Sequence, residues 1–389
     1  MADHPGHRIA ARRQSRRMTQ RDLAAAAHLS LGMIRHIEQG TRAPSASALE
    51  SIAAALGVDP ARLDPGFAGT AHRVHAMLPS ISAVIAGYDI RLAPPARRRE
   101  ELRREVGTAV AQRLAAQYGL IAGTAPALLR DTLGLLHYSA CEQREDAARL
   151  VVAAARCADA VAYKYGAHDL SARLIGVMRW AAVEADDAVL RASVAYTSAE
   201  TYLAAHAYRV GQAALEQALE ASAAPVTSAA AAARGALFMR TAVMAARAGA
   251  AEAAYAHLER ARVLASGLAE GIYLGTAFGP SSVRIHEVAV AVSLGQDHIG
   301  RALDVARVWK PGNEVPAERR SGFYVEVGRA QLWAGWPDAA FESLKVARRL
   351  APQHVREHPW AREDVEKLRR IKRADTESLS SFAEWIGAV

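Results

Sequence analysis

Beyond about residue 100 the 389-residue chain never sustains the apolar–polar alternation of a strand, and alanine and larger apolar residues recur instead at three- and four-residue steps. Turn-like points fall at Gly166, His206, Gly249, Gly295 and Gly335, which are 40, 43, 46 and 40 residues apart. Helices of that length bury their apolar faces only by stacking pair upon pair, so the pattern predicts an all-α, solenoid-like body with an extended concave face. Hydrophobic residues make up 51% of the chain, but the excess is alanine, and "TSAAAAARGALFMRTAVMAARAGAAEAA" is broken by Arg234, Arg240 and Arg247. Such a stretch reads as helix packed on helix, because a membrane span needs about 20 uninterrupted apolar residues.

The length is too great for one ordinary core and predicts two or three units. The N-terminus, "MADHPGHRIAARRQSRRM", is basic with no apolar run behind it, so it does not read as a secretory signal and a cytoplasmic protein is expected. Cys141 and Cys157 lack the spacing of a zinc or redox pair and read as reduced packing residues. The net charge of +8 makes an anionic partner plausible, and residues 1–57 concentrate it, with eight arginines against Asp3, Asp22, Glu38 and Glu50. A coding bias towards arginine is the competing explanation.

In those first residues the apolar positions Ile9, Met18, Leu23, Leu29, Ile34, Ile37, Leu49, Ile52 and Leu56 keep the helical period inside short blocks. Thr19, Ser30 and Ser45 stand where N-caps belong, and Gly40 and Gly57 where helices end. Helices this short must pack as one bundle. The stretch "TQRDLAAAAHLSLGMIRHIEQGTRAPSASALESIAAALGV" resembles the helix-turn-helix of the phage-repressor and xenobiotic-response-element class over roughly residues 6–63. Two positions depart from that pattern: His28 and Arg17 stand where glycine is common.

The resemblance implies double-stranded DNA as partner, read by a helix that begins at Ser30. Gln20 would bond backbone or a base edge, Arg13 would pair with Glu38 inside the bundle, and Thr41 and Arg42 would hold phosphates. Arg12 and Arg16, one turn apart, suit a duplex backbone, although each arginine taken singly also fits a solvated surface charge. Leu31, Gly32 and Met33 offer no side-chain hydrogen bonds, so they would touch thymine methyls or allow close backbone approach, unless Leu31 or Met33 faces the core. Polar readout then rests on Arg35, which suits a bidentate contact to guanine, and on His36, at a position that commonly reaches a base in the family.

In the body, "SGFYVEVGRAQLWAGWPDAAFESLKVARRLAPQH" resembles a tetratricopeptide repeat, with Tyr324, Val327, Gly328, Gly335, Ala340, Leu344, Ala347 and Pro352 at that spacing. Fainter copies precede it. The expectation is a small N-terminal helix-turn-helix bundle over residues 1–66, a Pro- and Gly-rich connector over 67–100, and a degenerate tetratricopeptide-like α-solenoid over 101–389. That architecture is similar to peptide-sensing quorum regulators, which implies a homodimer and a signal-peptide or small-molecule effector. Tyr163, Tyr202, Arg240, Arg284, Glu287, Tyr324 and Glu326 are the candidate ligand contacts, with ordinary inter-repeat polar contacts as the alternative. The segment "GIYLGTAFGPSSVRIHE" breaks the helical pattern and reads as a long loop.

Two other functions compete. "HVREH", His354 to His358, fits an H-x-x-E-H zinc motif, but Pro352 and Pro359 bracket it and a further ligand is needed. No phosphate-binding G-x-x-x-x-G-K-[ST] loop or G-x-S-x-G nucleophile turn occurs, so neither a cofactor nor a catalytic or metal residue is expected. A scaffold that holds a protein partner, with a head that merely packs, is the remaining reading.

Overall fold

The computed structural model describes residues 4–27, 29–67, 69–91, 93–371 and 377–388, and twenty-one α-helices among them make the fold all-α. Five form the head: α1 (Pro5–Ser15), α2 (Gln20–Ala26), α3 (Leu31–Glu38), α4 (Ala46–Leu56) and α5 (Pro60–Leu63). Their bounds follow the predicted caps. Thr19 and Asp22 form a capping box, the Ser30 and Ser45 hydroxyls accept from the Met33 and Ala48 amides, and Gly57 closes α4 in the left-handed conformation. Ile9, Leu23, Ile34, Ile37, Leu49, Ile52 and Leu56 form the core of the bundle. Gly6 lets α1 cross the end of α3, because a Cβ there would fall 2.0 Å from the Ile37 carbonyl oxygen.

The body continues with α6 (Thr70–Ile85), α7 (Arg99–Leu114), α8 (Tyr118–Tyr138), α9 (Cys141–Lys164), α10 (His168–Glu184), α11 (Ala188–Ala204) and α12 (Tyr208–Ala221). Then come α13 (Ser228–Arg247), α14 (Ala251–Ala265), a hairpin of β1 (Gly271–Tyr273) and β2 (Thr276–Phe278), α15 (Pro280–Leu294), α16 (Ile299–Val308) and α17 (Ala317–Trp333). The chain ends in α18 (Pro337–Leu350), α19 (Pro352–Arg356), α20 (Pro359–Ile371) and α21 (Glu377–Ile386). The five expected turn points all adopt positive φ, between 53° and 104°. Successive helices pack as pairs, while α9, α11, α13, α15 and α17 also touch one another in sequence and make the inner layer of the solenoid.

Four expectations need correction. The connector is largely helical, because Val74, Ile81 and Ile85 of α6 are buried against α8 and this packing outweighs Pro79 inside the helix. The segment read as a loop contains an antiparallel hairpin, whose turn residues Leu274 and Gly275 both have the positive φ that a tight two-residue connection needs. Cys141 does not pack: it is exposed at the start of α9, whereas Cys157 is buried as expected. Finally, the inner face is not an open groove. The ends of the solenoid meet where α7 packs on α17, the Tyr118 hydroxyl donates to Glu318 (3.0 Å) and the Gly119 amide donates to Gln353 (3.1 Å).

Candidate nucleic-acid interface and central cavity

On α3 the sequence sorts two faces by helical period. Ile34, Ile37 and Glu38 are buried, while Gly32, Arg35, His36 and Gln39 share an exposed stripe that no body element covers among the described residues. Leu31 and Met33 are half-buried against the bundle core, so they divide their surface between core and outside. Gly32 has no heavy atom within 4 Å of where a Cβ would stand, so nothing in the fold requires glycine there.

The residues beneath that stripe are tied together. Arg13 grips Glu38 with two hydrogen bonds of 2.7 and 2.9 Å, as the resemblance implied, and the Glu38 hydrogen bond raises the guanidinium pKa. Gln20 joins the cluster by donating its amide to Glu38 at 2.8 Å, which leaves its carbonyl oxygen for another partner. The Thr41 hydroxyl donates to the His36 carbonyl and lies 3.1 Å from His36 Nδ1, so it fastens the end of α3. Arg42 is exposed and makes no ion pair among the described residues. Arg12 is half-buried, and Arg16 reaches the end of α4, where its nitrogens would lie 3.0 Å from a Cβ at Gly57. Arg17 adopts a φ of 54°, consistent with glycine being common there; His28 lies outside the described residues. Gln39 is the stripe member that sequence reasoning omitted, because it was read only as the end of a helix.

The closed solenoid surrounds a central cavity of about 650 Å³. Inner helices line it at helical steps: Arg156, Asp159 and Tyr163 from α9, Tyr196 and Glu200 from α11, Arg240 and Arg247 from α13, His286 from α15, and Glu318, Arg319 and Glu326 from α17. Of the expected ligand contacts, Tyr163, Arg240 and Glu326 therefore come together. The other four do not reach this cavity. Arg284 and Glu287 point away from the His286 face of α15, where Arg284 lies over Trp309 and Glu287 pairs with Arg262 and Arg301. Tyr324 packs beside Phe323 between helices, and Tyr202 lines a smaller cavity of about 280 Å³. Each neighbouring residue on a helix turns by about 100°, so choosing the helix was not enough to choose its face.

The hairpin forms part of the cavity wall. Arg156 donates to the Leu274 carbonyl (2.8 Å) and the Thr276 hydroxyl (2.7 Å), Arg113 donates to the Gly275 carbonyl, and Phe278 sits on Gly235 with no room for a Cβ. Burial and neighbouring Arg113 depress the Arg156 pKa to about 10. Burial pushes Asp159, which accepts from Ser171 at 2.6 Å, well above the usual carboxylate range and lifts Glu326 to about 8. Glu326 is half-buried and lines the cavity. Burial alone would raise Glu318, yet Lys164, His354 and Arg113, with the Tyr118 hydrogen bond, hold it down to about 2. Tyr196 is depressed as well: Arg240, Arg319 and Arg156 outweigh its burial.

The residues of the zinc-like string take another place. α19 ends at Arg356, so His354 and His358 are not on one continuous helix; both line the cavity, with His354 Nδ1 3.2 Å from Ser321 Oγ. Burial lowers His354 to about 3. Among the described residues no group of three or more His, Cys, Asp and Glu side chains is placed to hold a metal ion. Arg156, Arg247, Arg319 and Tyr196 were missed, and His358 was singled out only within the zinc-like string, although the seven-residue step from Arg240 to Arg247 within an alanine-rich helix could have flagged one face.

Residues 9–63 match the family model described as "Helix-turn-helix", which supports a DNA-binding transcription regulator. No curated protein and no solved structure matches the chain. No described helix is long and apolar enough to cross a membrane.

Proposed function

We propose that this chain is a sequence-specific regulator of transcription that docks α3 in the major groove and whose helical body senses a ligand. The observation that carries the reading is the uncovered stripe of Gly32, Arg35, His36 and Gln39, held in place from behind by Arg13, Gln20 and Glu38. Arg35 and His36 read base edges, Ser30 and Thr41 hold the helix ends, and Arg42 with Arg12 meets phosphate. A homodimer would set two such helices about 34 Å apart, or a multiple of that, on a symmetric site.

Support for ligand control comes from α19. One side of this short helix and the turn after it line the cavity through His354 and His358, while Gln353 donates to Glu50 (3.2 Å) and Arg356 to Asp59 (2.5 Å) of the head. A ligand that prefers one placement of α19 would thereby shift the head, and only a difference in affinity between two placements can do so. The test of DNA reading is binding to a selected operator and to scrambled duplex. Arg35→Ala should lose about 1–3 kcal/mol of discrimination, whereas Arg42→Ala should weaken both duplexes alike. A wild-type chain that protects no symmetric duplex would instead favour the scaffold function.

A further inference from the structure

The cavity carries an imbalance of hydrogen-bonding groups. Arg113, Arg240 and Arg247 line it, and each also keeps a buried Nε–H with no partner among the described residues, as Glu326 and His358 do at one oxygen and at Nδ1. Guanidinium donors therefore lead the unmet demand. The cavity lining includes six cations, Arg113, Arg156, Lys164, Arg240, Arg247 and Arg319, against five carboxyls. Burial lifts one of those carboxyls, Glu326, to about 8 and pushes Asp159 well above the usual carboxylate range, so the positive charge exceeds the negative. Buried arginines without a counter-charge are costly to keep unless an anion completes their hydrogen bonds.

Arg240 and Arg247 each rest on an aromatic ring. Arg240 lies over Tyr196 (4.3 Å) and pairs with Glu200 on one side only (4.0 Å), and Arg247 lies over Trp360 (4.3 Å). Aromatic faces hold a guanidinium plane in place while its rim of donors remains available. Arg319 is fixed differently, by Tyr196 Oη at 2.5 Å and His286 Nε2 at 3.2 Å. Because the solenoid ends meet and the hairpin closes one wall, the space suits a compact molecule rather than an extended chain.

Resting on the reading of the body as a sensor, we propose that the cavity binds a small metabolite bearing two or more anionic oxygen groups, held by Arg240 and Arg247 on α13 and facing Glu326. Its carboxylate or phosphate oxygens accept from the two guanidinium rims, and Glu326 offers a carboxyl to a hydroxyl or further oxygen on the same molecule.

Isothermal titration of the full chain in chloride buffer with citrate, and separately with inorganic phosphate, tests this. We expect one anion bound per chain for at least one probe, and at least a ten-fold loss of affinity in Arg240→Gln and in Arg247→Gln. Circular dichroism melts establish that each variant is folded, and the more peripheral Arg247→Gln serves if Arg240→Gln is not. Absence of binding by both probes up to about 10 mM overturns the proposal, as does unchanged affinity in the folded variants. Duplex binding is measured on the same samples: a chain that binds anion but no operator overturns the regulator reading and leaves the cavity assignment standing.

Discussion

At the scale of single residues, two buried carboxyls show how environment sets charge. Glu318 stays ionised because Lys164 (3.3 Å) and the Tyr118 hydroxyl complete it, whereas Glu326 has no such partner and is lifted to about 8. The sign of the resulting pH dependence follows. A carboxyl ordinarily near 4.5 that is raised in the folded state stabilises fully below that value and loses its contribution as pH rises through about 8. Above about pH 7, where the buried His257, His286, His354 and His358 no longer take up protons on unfolding, the wild type should therefore lose urea stability up to about pH 8.5, and Glu326→Gln should flatten that loss. Asp159 acts in the same direction, so some slope remains. Equal slopes for wild type and variant would show that Glu326 is ionised in the fold at neutral pH.

At the scale of elements, caps were legible, whereas the inward faces of the body helices were not. Ser30, Ser45 and Gly57 announce helix ends through local chemistry, and the structure uses each as expected. The side of α15 that meets the cavity depends on where α13 and α17 sit, which no local pattern encodes, and so His286 took the place expected of Arg284. α19 is one of the elements on which the two parts of the chain join, beside α6, whose Arg73 pairs with Glu50 (2.8 Å), and α21. Removing Arg356→Ala takes away its pair with Asp59, an ion pair whose partners are 29% and 31% exposed and which contributes up to about 1 kcal/mol. Tryptic cleavage after Arg62 should then run about three- to five-fold faster, while duplex affinity holds. Unaltered cleavage kinetics would mean that Gln353, the Arg73–Glu50 pair (2.8 Å) and the Arg62–Glu384 pair (3.3 Å) suffice to hold the head.

At the scale of the whole molecule, the two ends of the solenoid meet beside the central cavity. Glu318 fastens that closure, since it accepts from Tyr118 on α8 while Lys164 of α9 pairs with it. Glu318→Ala leaves a buried hydroxyl and an ammonium without their acceptor and should cost about 2–3 kcal/mol in urea unfolding. Glu318→Gln retains one acceptor and should fall between that variant and the wild type. A loss within about 0.5 kcal/mol for the alanine variant would show that the ends hold together by apolar packing alone.

Helix type, helix ends, the head's core and the arginine-rich charge were all present in the order of residues, because periodicity, capping and composition act over a few neighbours. The match of residues 9–63 to a helix-turn-helix rests on the same short-range grammar. Closure of the superhelix, the hairpin in its wall, the helical state of residues 70–85 and the meeting of Arg240, Arg247 and Glu326 were decided only in three dimensions. Each depends on contacts between segments far apart in the chain, where a rotation of one residue exchanges an inward side chain for an outward one.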